Sequence, residues 1–128
     1  MTSRLVLAAA LTAAIAGALL AQNGVQRTVV TRADISVPGR EAVTIAIEIA
    51  PGASTGRHTH AGDEIDYVVE GQLEVTMDGQ APRILKPGES IIMPQGTVHN
   101  ARNPGTQPLK AVGVYVVEKG KPITTAAQ

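Results

Sequence analysis

The chain has no cysteine, no phenylalanine and no tryptophan, and Tyr67 and Tyr115 are its only large aromatic side chains. Without cysteine there are no disulfides, so the packing of secondary structure alone must hold the domain. The missing aromatics leave a core of Val, Ile, Leu and Ala, and they leave nucleic-acid bases few platforms to stack on. Charge is balanced as well, with 11 Lys and Arg against 11 Asp and Glu. That balance excludes a basic field for nucleic acid and an acidic tail, and it argues against any partner selected by bulk charge. The length of 128 residues gives room for one domain with a real core, not two.

What the chain does have begins with one long apolar run. Arg4 gives a positive start, Leu5 to Leu20 is apolar apart from Thr12, and Ala16-Gly17-Ala18 offers a small-x-small cleavage site with Ala21 as a later option. Residues 1–21 therefore read as an export signal, which implies a periplasmic or secreted protein without a stable membrane span after processing. The alternative is an uncleaved anchor, for which an alanine-rich run this short is at the lower limit of a spanning helix. Gln22 stands where lipid attachment would need cysteine, and a lone Arg4 argues against twin-arginine export.

After a polar connector from Gln22 to about Thr28, the chain reads as all β. Residues 22–40 hold that connector and a first strand, 41–118 form the main body, and 119–128 are a polar, loosely held tail. In Val43-Thr44-Ile45-Ala46-Ile47-Glu48-Ile49 the odd positions share one apolar face. Leu73, Val75 and Met77 alternate with Glu74, Thr76 and Asp78 in the same way, and Asp78-Gly79 supplies a two-residue hairpin turn. Further turns fall at Pro51-Gly52, Glu70-Gly71, Lys86-Pro87-Gly88, Pro94-Gln95-Gly96 and Pro104-Gly105. No segment after Gln22 keeps a helical apolar period. Short strands at this spacing favour a sandwich or small barrel, in which a jelly roll can enclose a ligand cavity.

All three histidines lie in two glycine-punctuated stretches. The first places Gly52 before His58-Thr59-His60, Glu64 and Gly71, and the second places Gly88 before Pro94-Gln95-Gly96, His99 and Asn103. In an extended segment His58 and His60 leave one face of a strand together, whereas a helix would point them apart. Ala61-Gly62-Asp63 is turn-prone and can bring the Glu64 carboxylate back to the same point, and His99 arrives from a separate strand to close the shell. This spacing suits one metal ion. Three imidazoles and a carboxylate accept several divalent transition metals, so Mn, Fe, Zn, Cu or Ni all fit the donor set. Gly52 is not a phosphate loop, since no Gly-Lys-Ser/Thr follows.

Other residues near the motifs read as follows. Counting by two from Glu64 puts Asp66 on the metal-facing side of its strand, where a second carboxylate can act as a base or hold a water. A bulge would reverse that register and leave Asp66 solvated. Arg57 and Tyr67 should turn outward by the same count, and Asn103 is a strand-end partner for backbone groups.

Both stretches resemble the two signature motifs of the cupin superfamily, and every fixed position from Gly52 to Asn103 is met. The resemblance implies a small conical β-barrel, a jelly roll, with one metal held by His58, His60, Glu64 and His99 and coordination positions left for water or substrate. It also implies a homodimer. Cupin chemistry spans dioxygenases, decarboxylases, isomerases, lyases, storage and sensing, so fold and ligands do not fix the reaction. The chain is similar to small quercetin-dioxygenase-like cupins, which makes a metal-dependent enzyme on a small molecule the leading expectation, with Glu64 as ligand and proton acceptor. The scarcity of aromatics argues against a flavonoid substrate. The competing expectation is a periplasmic protein that binds a metal or metabolite without turnover.

Overall fold

The computed structural model describes residues 20–128. The segment read as an export signal, 1–21, lies almost wholly outside them. Alternation builds the first sheet. In β3 (Arg40–Ile49) Val43, Ile45, Ile47 and Ile49 are buried on one face, as the sequence pattern requires. β10 (Leu109–Glu118) pairs with β3 antiparallel, setting Tyr115 opposite Val43 and Leu109 opposite Ile49. β5 (Gly62–Glu70) pairs with the other edge of β10, and β8 (Ser90–Met93) with β5. β2 (Val25–Asp34) and β1 (Leu20–Gln22) extend the far side, giving the order β1-β2-β3-β10-β5-β8.

The second sheet runs β11 (Thr124–Ala126), β4 (His58–His60), β9 (His99–Arg102), β6 (Leu73–Met77) and β7 (Arg83–Leu85), in that order. Among the described residues there is no helix, and none is long and apolar enough to cross a membrane. Two antiparallel sheets thus pack face to face as a jelly roll. Their inner faces supply one aliphatic core that includes Val25, Val68, Leu73, Val75, Leu85, Leu109 and Val117. Burying each such side chain contributes about 1.5–3 kcal/mol before entropy is counted. The same alternation sends Tyr67, Val69 and Ile92 to the outer face of the six-stranded sheet, where they are exposed.

Three local expectations are corrected. The Gln22–Thr28 connector is the turn and start of a hairpin: Asn23 and Gly24 adopt φ of 40° and 83°, and β1 pairs with β2 around them. Two positive φ values match the right-handed strand twist, and Asn-Gly is the sequence that tolerates both. The tail is not loose, because β11 pairs with β4 so that Thr124 faces His60 and Ala126 faces His58. Asp78-Gly79 does turn the chain, with Gln80 N–H donating to the Met77 carbonyl, but the ladder resumes only at Val75 opposite Arg83. Pro82, without an N–H, cannot carry that ladder closer to the turn.

Candidate metal centre

The site forms where the two sheets face each other. β4 is extended, so His58 and His60 both point inward and are buried while Thr59 points away. His99 of β9 lies directly opposite His58 in the ladder. A bend at Ala61 then carries the chain into the other sheet, and Gly62 makes that crossing possible. A Cβ on Gly62 would lie 1.9 Å from the Val116 carbonyl oxygen, so no other residue fits against β10 there. From that anchor β5 turns Glu64 and Asp66 inward, with Glu64 opposite Tyr115 and Asp66 opposite Gly113.

The ligating atoms of His58, His60, Glu64 and His99 lie within 4.8 Å of one another, and all four side chains are buried. Each imidazole is locked by its Nδ1. That nitrogen of His58 donates to the Gly56 carbonyl at 2.7 Å, that of His60 to the Ile123 carbonyl at 2.7 Å, and that of His99 to the Thr97 carbonyl at 2.9 Å. A ring whose Nδ1 carries the proton keeps a lone pair on Nε2, which is the form a metal needs. His99 Nε2 lies 2.9 Å and His60 Nε2 2.8 Å from the same Glu64 oxygen, Oε2. The His60 contact is misaligned, which leaves its buried Nε2 without a hydrogen-bond partner. An orphaned buried nitrogen aimed at a carboxylate and two further imidazoles fits a cation at the centre, and three neutral nitrogen donors with one carboxylate suit a divalent transition metal.

The electrostatics agree with that fit. Burial pushes the His58 pKa down to about 4, so the ring is neutral. Burial alone would raise the Glu64 pKa, but its close contacts with the His60 and His99 imidazoles and with Tyr115 outweigh it and hold the carboxylate well below its usual range. Burial would likewise lower His99, yet its bonds to Glu64 and the Thr97 carbonyl leave its pKa raised. Asp66 is pushed well above the carboxylate range by burial, then by the charge of Glu64 and a hydrogen bond with it. Asp66 is on the inner face with no reversal of register, in the place counting by two from Glu64 gives.

Arg57 and Tyr67 point outward, Arg57 in a bidentate pair with Asp78 at 2.8 and 2.9 Å. Asn103 is buried, its Nδ2 donating to the Ile49 and Gln107 carbonyls and its Oδ1 accepting from Gly105 N–H. Two neighbours of the cluster went unread in the sequence. Tyr115 packs its ring edge-on to His60, with centroids 4.9 Å apart. Its position is hidden because Val112, Val114 and Val116 on the opposite face of β10 blur the alternation. Arg27 lay in a stretch read as connector. With Ile47, Ile49, Thr55, Ala101 and Ala111 these two residues line a narrow cavity of about 20 Å³ that reaches the cluster. A larger groove of about 250 Å³ runs over the outer face of the six-stranded sheet, past Thr28, Ala46, Val69 and Val112, away from the metal ligands.

Fold and site together define a jelly-roll domain with a buried three-histidine, one-carboxylate cluster. Residues 46–117 match the cupin domain model, and the chain belongs to the cupin family. It is 31% identical over 102 residues to a germin-like protein, subfamily 2 member 2, of Arabidopsis thaliana, covering 73% of this chain and 47% of that one. A segment of 58 residues is 40% identical to acireductone dioxygenase of Rhodopseudomonas palustris, covering 43% of this chain and 35% of the enzyme. An uncharacterized double-stranded β-helix protein of Klebsiella pneumoniae superposes with a TM-score of 0.69 at 25% identity, over 86% of this chain and 90% of that one. The chain spans about half the length of the first of these relatives, the germin-like protein.

Proposed function

We propose that this cupin is an exported metalloenzyme, a dioxygenase-like oxidoreductase that acts on a small molecule through one divalent transition metal. His58, His60, Glu64 and His99 hold the ion, and the observation that carries the reading is the locking of all three Nδ1 atoms on backbone carbonyls. Such outer contacts orient metal ligands and are wasteful in a histidine cluster that binds nothing. The ion, when bound, supplies Lewis acidity and a binding position for substrate or oxygen. Glu64 keeps a carboxylate at the centre that can ligate and accept a proton, and Asp66, buried beside it on the same face of β5, is a second carboxyl group that can act as a base or hold a water. The kinship to acireductone dioxygenase supports the oxidoreductase class, and Arg4 with the apolar run behind it supports export. Exposed Tyr67, Val69 and Ile92 on the outer sheet face suit the interface of a homodimer.

Two variants separate holding the metal from using it. His60→Ala removes an imidazole with no second role, so metal content and turnover should fall together. Glu64→Gln keeps size and an oxygen donor but loses charge and basicity. It should retain a substantial share of the metal while turnover drops about 10²-fold or more, the scale of losing a general base. Metal content and oxygen uptake measured side by side decide the matter. Activity per bound metal that is unchanged in Glu64→Gln removes the catalytic role of Glu64, and metal-loaded protein that retains ligands without consuming them identifies a binding protein instead.

A further inference from the structure

We infer that Arg40 is a positioning residue for the metal centre, its guanidinium bridging the segment that carries His60 and Glu64 to the segment that carries His99. The inference rests on the proposed metal site and names the contact that sets its spacing. The ladders around the ligands end early. β5 and β8 pair as far as Glu64 opposite Met93, and β4 and β9 pair at His58 opposite His99. Beyond those points residues 61–63 carry the chain from His60 to Glu64, and the turn 94–98 carries it from Met93 to His99. The placement of one stretch against the other decides how far His99 stands from His60 and Glu64.

Side chains join the two stretches. Arg40 opens β3 opposite Glu118, the last residue of β10. Its Nη1 donates to the Ala61 carbonyl at 3.2 Å, and its Nη2 donates to Gln95 Oε1 at 3.1 Å. Gln95 completes the bridge with its own donors, the backbone N–H to Asp63 Oδ1 at 2.9 Å and Nε2 to Glu118 Oε1 at 3.3 Å. The residues after Gln95 touch the ligands directly. Gly96 N–H donates to the His60 carbonyl at 3.2 Å, and the Thr97 carbonyl is the one that holds His99 Nδ1. A planar guanidinium with donors in fixed directions holds two oxygens at a set separation, which a single ammonium does not. The Arg40 side chain is 27% exposed against 50% for Arg57 in its pair with Asp78, so water weakens its contacts less.

The test uses cobalt(II), whose visible absorption reports ligand geometry and whose affinity a competing chelator measures. Arg40→Met keeps the aliphatic stem and removes the fork. It should bind cobalt about 10-fold more weakly with a shifted absorption band, the scale of losing a charge-assisted hydrogen bond outside the ligand shell. Gln95→Ala should do the same from the other end of the bridge, and because both changes sever one connection the double variant should lose little more than either alone. Arg40→Lys should recover only part of the loss. Wild-type affinity and spectrum in Arg40→Met overturn the inference whatever happens to its melting temperature, and so does full recovery in Arg40→Lys. If Arg40→Met does not fold, Gln95→Ala in its exposed turn decides by the same two readouts. If the wild type takes up no cobalt, the metal reading fails by itself, and amide hydrogen exchange on metal-free protein decides the bridge. Gly96 N–H should then exchange about 10-fold faster in Arg40→Met while the β6 and β9 amides keep their rates, and an unchanged Gly96 rate overturns the inference.

Discussion

Protonation of the cluster follows from what each side chain touches. His58 is dominated by burial, and its pKa of about 4 against an ordinary 6.5 means that the folded protein favours the neutral ring. A depressed value contributes stability that is present above pH 6.5 and lost as pH falls toward 4. His99 runs the other way. Its raised pKa comes from Glu64 and the Thr97 carbonyl overcoming burial, so its contribution is present below 6.5 and lost as pH rises through the folded value. On acidifying metal-free protein, histidine side-chain NMR should show His99 taking up a proton before His58. The opposite order would mean that Glu64 is not the anion both rings face. In loaded protein, proton competition for the imidazoles should release metal progressively as pH falls below about 6.5.

At the level of elements, legibility depended on whether a strand has one buried face. β3 and β6 alternate apolar with polar residues, and their inner faces were read correctly from the sequence. β4 and β5 were legible for the same reason, since His58, His60, Glu64 and Asp66 sit at even spacing and the structure turns all of them inward. β10 was not, because valines occupy both faces and conceal Tyr115 among them. β2 was hidden by its polar residues, although Asn23-Gly24 is the strongest hairpin signal in the chain and would have exposed β2 and Arg27 with it. The tail was misread because nothing in Thr124-Thr125-Ala126 shows that a strand edge awaits it. That edge matters to the site: β11 holds the chain beside β4, and the Ile123 carbonyl fixes His60. Ending the chain at Lys121 should therefore leave a folded barrel whose metal affinity is lower by about 10- to 100-fold, the usual cost of losing an outer-shell partner. Circular dichroism and a competitive chelator titration check both halves, and unchanged affinity would show that the tail does not orient His60.

For the whole molecule, the sheets and the site sit downstream of the apolar N-terminal run. Processing should give a mature protein beginning between Leu19 and Asn23. Cleavage in that window removes at most part or all of β1, a three-residue strand at the sheet edge, and leaves β2 paired with β3. Mass spectrometry of protein from whole cells checks this, and an intact Met1 in the membrane fraction would contradict it. The central claim is that four residues brought together from two sheets exist to hold one ion. It is tested most directly by metal analysis and X-ray absorption on protein purified from its native compartment. One divalent transition metal per chain is predicted, with three imidazole nitrogens and a carboxylate oxygen at about 2.0–2.3 Å. Protein that carries no metal and takes none up, or that binds it equally well with His58, His60 and His99 all replaced by alanine, would contradict the account.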